Sequence, residues 1–97
     1  MTIAFKTKDK NGKIVHLSNE RLKHIQRHPY MDDPLENIKI TLNEPTTIIN
    51  SEEDKSIKYF YKEFKNRDKF ERYLFVSVKY LNNHGFIITS FFTNRIA

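Results

Sequence analysis

The chain has 97 residues, a length that fits a single domain with a modest hydrophobic core. It contains no cysteine, which excludes a disulfide framework and a thiolate zinc site, and no apolar run approaches the roughly eighteen residues of a membrane span. Seventeen Lys and Arg against twelve Asp and Glu give a net charge of +5, and the amino terminus carries no apolar signal segment, so we expect a cytoplasmic protein with an anionic partner such as RNA.

The first predicted element is a short β-hairpin. Its strands are assigned to Thr2–Thr7 and Lys13–Leu17, two runs that are separated by a polar turn. The turn contains Asn11 followed by Gly12, and this dipeptide is typical of tight hairpin turns because both residues tolerate a positive φ. The pattern therefore predicts two antiparallel strands at the start of the chain.

A first helix is predicted directly after the hairpin. Ser18 is a favourable N-cap, and the helix ends near Arg27 because Pro29 cannot continue it. Leu22 and Ile25 form an apolar side together with Pro29. Spacings of three and four residues place a second group together on a different side of the helix: Arg21, His24 and His28.

A second helix is predicted between two prolines, Pro34 and Pro45. Asp33 precedes it as the expected N-cap, Pro34 suits the first helical position, and Glu36 completes a capping-box pattern. Its apolar residues recur at helical spacing: Leu35, Ile38 and Leu42.

The remaining chain alternates with period two and predicts four strands, at residues 46–50, 56–64, 71–81 and 85–94. Short polar links join them, as in an antiparallel meander. The fourth strand is apolar on both sides, which is typical of a central or helix-covered strand. We therefore predict one α+β domain over residues 1–97, in which the N-terminal β-hairpin and two helices pack on a four-stranded antiparallel sheet.

The paired histidines admit two functional interpretations. His24 and His28 have the spacing of a helical metal pair, but no third ligand is evident and the order H-I-Q-R-H lacks a metalloprotease glutamate, so we predict no metal and no cofactor. Alternatively, imidazole serves as acid or base while Arg21 and Arg27 hold a phosphate, which are the parts that metal-free RNA cleavage requires. A solvent-exposed polar helix face is the structural alternative.

Polar and aromatic residues on the strands form a second candidate set, expected near a site: Lys79, Thr89, Ser90, Tyr59, Tyr61 and Asn94. Lys79 interrupts an apolar strand, and two hydroxyl residues lie inside the most apolar segment of the chain. The two tyrosines lie between Lys58 and Lys62, an arrangement suited to stacking unpaired bases. Each has a structural alternative, namely a surface strand face, ordinary β-propensity, edge packing or a solvated tail.

The order of these elements resembles a known superfamily. It resembles the phage- and toxin-associated nucleases of the barnase–EndoU–colicin–RelE (BECR) superfamily, PBECR-type members above all. The resemblance is carried by a helix ending in His-Pro, a second helix ending before proline, a strand with paired tyrosines, the strand "VSVKY" and the final strand "IITSFF". The resemblance covers roughly Leu17 to Asn94. It implies two helices packed on a four-stranded antiparallel sheet and a metal-independent, toxin-like endoribonuclease.

The resemblance also suggests positions for the catalytic groups. The helical histidine of the superfamily corresponds to His24 or His28, the strand lysine to Lys79, and the hydroxyl of the last strand to Thr89 or Ser90. We expect an enzyme that cleaves RNA, tRNA among the candidates, by acid–base transesterification, with an antitoxin or immunity protein as partner. The alternatives are a non-catalytic RNA-binding module and a basic protein-interaction domain.

Overall fold

The computed structural model describes residues 3–96 and contains six strands, two α-helices and one 3-10 turn in that range. Thr2 of the predicted first strand lies outside the described residues. The elements follow this order along the chain: β1 (Ile3–Lys8), β2 (Ile14–Ser18), α1 (Asn19–Gln26), α2 (Pro34–Asn43), β3 (Thr47–Asn50), β4 (Ile57–Glu63), the 3-10 turn (Lys69–Glu71), β5 (Tyr73–Leu81) and β6 (His84–Thr93). Neither helix has the length and apolar character required to cross a bilayer.

The six strands form a single mixed sheet in the order β1-β2-β6-β5-β4-β3. The predicted meander is confirmed, because β3 through β6 pair with their sequence neighbours in antiparallel fashion. The predicted N-terminal hairpin is also present, but the prediction of a separate, wholly antiparallel sheet of four strands is wrong. The N-terminal hairpin joins the sheet through a parallel pairing of β2 with β6, which gives both strands a partner for backbone groups that would otherwise be unpaired. The most apolar strand, β6, is central as predicted.

Both helices pack their apolar side chains on one face of the sheet. Ile25 of α1 and Ile38 and Leu42 of α2 are almost completely buried there. They meet the inward side chains of four strands: Val15, Leu17, Phe60, Leu74, Val76, Val78 and Ile87. The opposite face carries the alternate residues of the same strands and contributes none of the members of this core, so it is referred to below as the open face.

The two helix starts differ in how well the sequence predicted them. The Ser18 hydroxyl accepts a hydrogen bond from the Arg21 backbone N–H at 3.1 Å, so the predicted cap of α1 is confirmed. Asp33 does precede α2, but its side chain makes no capping hydrogen bond and the predicted capping box with Glu36 is wrong. Asp33 has left-handed backbone angles (φ 43°, ψ 51°), whereas capping side chains need an extended residue. Pro29, predicted to lie on the apolar side of α1, is exposed.

A bulge in β6 changes which side chains reach the open face. Thr89 pairs with Ser77 and Ile87 pairs with Val78, so Ile88 is an extra residue on β6. The extra residue reverses the alternation, because side chains change face at every residue of a regular strand. Ser90 therefore points to the helix-covered face, whereas a regular strand would place it on the same side as Phe86.

Candidate functional site

Helix α1 lies beside β6 along one edge of the open face. Arg21 lines a depression with Ile88, and seven residues later the His28 ring lies 5.5 Å from the Phe91 ring. From Arg21 to its end at Gln26 the helix spans about 8 Å, and the three residues from Ile88 to Phe91 span about 10 Å. Helix and strand thus run side by side in the same direction. His24 is exposed on α1 one turn after Arg21, and His28 follows the end of the helix.

A depression of about 360 Å³ lies where the start of α1 meets β2, β5 and β6. It is called the basic cleft below, and it is lined by these residues: His16, Ser18, Glu20, Arg21, Lys79, Leu81, Phe86, Ile87 and Ile88. Two predicted site residues from distant parts of the chain, Arg21 and Lys79, come together here. Two cations at one cleft are suited to holding a phosphate group.

His16 is the residue of the basic cleft that the sequence reasoning did not single out. Val15 and Leu17 of the same strand face the core, so His16 points to the open face, with its ring 4.3 Å from the Phe86 ring. Its pKa is lowered from the ordinary histidine value, chiefly by burial and then by the nearby charges of His84 and Lys6. The lowered pKa favours the neutral imidazole, which is the form that can accept a proton.

A sequence signal for His16 existed. The period-two pattern of the predicted second strand places Val15 and Leu17 on one side and His16 on the other, facing away from the core. The pattern did not show which residues of other strands would lie beside His16. His16 comes to Phe86 and Lys79 only through the parallel pairing of β2 with β6, and that pairing has no local signature.

Lys79 is half-exposed and forms an ion pair with an acidic neighbour, Asp54. Its Nζ lies 3.2 Å from Asp54 Oδ2, and the Asp54 side chain is itself 40% exposed. Hydrogen bonds from the Ser56 hydroxyl and backbone N–H, and then from Lys79, lower the pKa of Asp54 to about 2. Asp54 is therefore ionised at any assay pH near neutrality and competes with a phosphate for the lysine.

Beyond the basic cleft, aromatic rings cover the open face of β4, β5 and β6. Phe75 occupies the centre, with its ring centroid 5.4 Å from Tyr59, 5.2 Å from Tyr61 and 4.9 Å from Phe91. These four rings, the aromatic floor below, line a depression of about 440 Å³ together with Thr93 and Arg95. Tyr61 is only 3% exposed, so within the floor it mainly supports its neighbours, whereas the other three rings are partly exposed.

The other predicted site residues are distributed unevenly. Thr89 lies on the open face opposite Ser77. His24 and Arg27 are exposed on or just after α1, and Asn94 is exposed beyond the end of β6. Ser90 is completely buried on the helix-covered face, and its hydroxyl has no hydrogen-bond partner, so it is not part of the open face.

The described part of the chain holds no group of three or more His, Asp or Glu side chains arranged to bind a metal ion. Histidine, arginine and lysine side chains instead line the edge of the open face, beside aromatic rings. Side chains of these types are suited to proton transfer, phosphate binding and base stacking.

Comparison with protein families gives a match over residues 3–96 to PBECR2, described as phage-Barnase-EndoU-ColicinE5/D-RelE like nuclease 2. The match includes most of the N-terminal hairpin, which precedes the segment Leu17 to Asn94 that carries the resemblance. No curated protein and no solved structure matches the chain.

Proposed function

The chain belongs to the PBECR2 family of nucleases, and from this premise we propose that it is a metal-independent endoribonuclease that cleaves RNA by acid–base transesterification. The observation that carries the proposal is the basic cleft, where His16 lies with two cations, Arg21 and Lys79, at the start of α1. These are the groups that attack by a ribose 2′-hydroxyl requires. DNA has no such hydroxyl, so this chemistry selects RNA.

The scissile phosphate lies between Arg21 and Lys79, which stabilise the negative charge that develops on its oxygens. His16 accepts the proton of the 2′-hydroxyl, and the 2′-oxygen forms a bond to phosphorus. As the bond from phosphorus to the 5′-oxygen breaks, the leaving oxygen takes a proton from His24, one turn along α1 from Arg21. The products are a 2′,3′-cyclic phosphate and a free 5′-hydroxyl.

The remaining open-face residues bind the strand on either side of the cleavage point. The Thr89 hydroxyl donates to a phosphate oxygen, and Arg27 and Asn94, exposed just after α1 and just after β6, bind further phosphates. Exposed rings of the aromatic floor, Tyr59 among them, stack bases, and His28 supports that stack through Phe91. Unpaired regions of RNA, such as tRNA loops, suit this surface, and a toxin-like cytoplasmic enzyme of this kind has an antitoxin or immunity protein as its inhibitor.

The test is cleavage of total RNA and of tRNA in the presence of EDTA by the wild type and by His16→Ala, His24→Ala and Arg21→Ala. We expect cleavage by the wild type and a loss of roughly 10²–10⁴-fold in kcat for each histidine variant, the usual contribution of a positioned acid or base. Lys23→Ala is the matched control for Arg21→Ala, because it removes the same charge from an exposed residue of α1 on another side of the helix.

Two outcomes would contradict the proposal. Cleavage that disappears in EDTA and returns with a divalent ion would overturn the metal-independent chemistry. A folded wild-type protein that binds RNA and cuts none would indicate an RNA-binding module. In that case the aromatic floor would bind bases and the basic cleft would have no catalytic role.

A further inference from the structure

Two aromatic side chains project into solvent at the end of α1 that is remote from the basic cleft. Tyr30 and Phe70 are each 63% exposed, more than any other large hydrophobic residue in the described part of the chain. They come from different loops but line the same depression of about 290 Å³. His28 and Phe91 line it too, so this depression adjoins the aromatic floor through the Phe91 ring.

A single arginine fixes both loops. Arg67 Nη2 donates to the Tyr30 carbonyl oxygen at 2.9 Å and to Asp32 Oδ1 at 2.9 Å. The same guanidinium donates to the carboxylate of Glu71, which belongs to the 3-10 turn that carries Phe70, and it lies 3.9 Å from the Phe92 ring centroid. The side chain of Arg67 is only 19% exposed. The two loops that carry the exposed rings are therefore held by the same partly buried arginine, Arg67.

The backbone of Tyr30 is held in an unfavourable conformation. Its φ is +67°, a left-handed value that is costly for a residue with a bulky side chain and that glycine adopts freely. Such strain persists where surrounding contacts impose it, and it concentrates at binding and catalytic sites. Here the Arg67 and Asp32 hydrogen bonds to the Tyr30 carbonyl impose it. Because Tyr30 is 63% exposed, burial of its ring contributes little, which points to a use for the ring.

We propose that Tyr30 and Phe70 form an aromatic clamp for one unpaired base of an RNA strand whose scissile phosphate occupies the basic cleft. The occupant follows from the surroundings of the clamp. Lys69 Nζ lies 5.3 Å from the Phe70 ring centroid and supplies a cation for the phosphate next to the stacked base. The chain is basic overall, and the depression continues into the aromatic floor along the same open face.

The clamp defines the substrate class of the proposed nuclease, and it rests on that proposed function. A base inside a duplex presents no free face to two protein rings, so the clamp selects single-stranded RNA or a loop. It also requires a strand that extends past the cleavage point. A dinucleotide that fills only the basic cleft does not reach the clamp.

The test compares Tyr30→Gly and Phe70→Ala with the wild type in binding a fluorescent 2′-O-methyl RNA of about eight nucleotides, within the range that small single-strand-binding domains contact. The 2′-O-methyl group blocks transesterification, so affinity is measured without cleavage. We expect each variant to bind about fivefold or more weakly, with an unchanged slope of affinity against salt, because no charge is removed. A duplex of the same sequence should bind all proteins equally.

The variants separate the clamp from a general loss of structure. Tyr30→Gly relieves the left-handed strain, so its melting temperature should equal or exceed that of the wild type while its affinity falls. Phe70→Tyr keeps a stacking ring and should retain wild-type affinity. Ile3→Ala is the control for losing exposed apolar surface elsewhere on the sheet, since Ile3 is 41% exposed on β1, and it should bind normally.

The outcomes of the clamp and of the nuclease proposal are distinguishable. Tyr30→Gly and Phe70→Ala proteins that are folded and bind the single strand as the wild type does would overturn the clamp, even if the wild type cleaves RNA. A wild type that binds neither single strand nor duplex also overturns it. Weaker binding by both variants, in a protein that cuts no RNA, would support the clamp and overturn the nuclease proposal alone.

Discussion

At the scale of single residues, the chemistry of the open face depends on how each ionisable group is surrounded. His16 and His28 are both on the open face and both contact a phenylalanine of β6, but they lie at opposite ends of it. Phe86 and Phe91 are five residues apart on the strand, which corresponds to about 15 Å. One phosphate cannot contact both histidines, so we assign proton transfer to His16 and His24 and base support to His28.

The residue-scale prediction concerns the pKa of His16. His84 contributes to the lowered pKa by its charge and also covers part of the same surface, with a ring centroid 6.2 Å from that of His16. Both effects have the same sign, so His84→Ala should raise the pKa of His16. NMR titration of the imidazole carbon-bound protons measures it directly.

The same substitution has a kinetic consequence whose sign is fixed. A base is active when deprotonated, so the acidic limb of the cleavage profile of the wild type lies below the pH expected for an ordinary histidine, and His84→Ala moves that limb to higher pH. His28→Ala is the control and should leave the pKa of His16 unchanged. An unchanged His16 titration in His84→Ala would show that the two rings do not interact.

At the scale of elements, the parallel pairing of β2 with β6 places His16 beside the strand lysine. Gly85 stands at the centre of this pairing, opposite Val15. A Cβ atom added to Gly85 would lie 2.8 Å from Val15 Cγ2, 2.9 Å from Val78 Cγ1 and 3.0 Å from the Tyr80 ring. The strands approach this closely only because residue 85 has no side chain.

The element-scale prediction is that Gly85→Ala destabilises the protein by about 1–3 kcal/mol, the usual cost of overpacking a core. Denaturant unfolding measures this free energy. Val15→Ala removes the nearest clashing atom, so it should cost less in the Gly85→Ala background than in the wild type. Strictly additive free energies in this double-mutant cycle would show that the β2–β6 contact is not the source of the effect.

At the scale of the whole molecule, a net charge of +5 attracts RNA, but the acidic residues near the site limit the attraction. Asp54 is ionised near neutral pH and paired with Lys79, a cation of the basic cleft. The effective charge of that cleft is therefore set by a loop between β3 and β4, and not by the cleft residues alone.

The molecule-scale prediction is that Asp54→Asn binds single-stranded RNA more tightly than the wild type, with a slope of log affinity against log salt that is steeper by about 0.7, the value for one further phosphate contact. The asparagine oxygen can still accept the hydrogen bond from the Ser56 backbone N–H, so the loop is preserved. Glu52→Gln removes the same charge from an exposed neighbour and should change the slope less. Equal slopes for the two variants would argue against a role for Lys79 in phosphate binding.

The sequence by itself determined the local structure and the broad function of this chain. The Asn11-Gly12 turn, the Ser18 cap, the period-two strands and the alignment of Arg21 with His24 on α1 are set by neighbours within about four residues. Patterns of that length are visible in a single sequence. The same patterns, taken in order, indicated a BECR-type nuclease, and the family match over residues 3–96 confirms it.

Only the tertiary structure decided which of those residues share a site. The pairing of β2 with β6 joins segments that are distant in the chain, and it alone brings His16 to Lys79. The extra residue in β6 moves Ser90 to the buried face, because one inserted residue reverses every side chain beyond it. The left-handed Asp33 likewise removes a cap that its residue type predicted. The β2–β6 pairing depends on contacts between remote segments, and the bulge and the left-handed residue depend on local backbone geometry, neither of which a periodic pattern of residue types records.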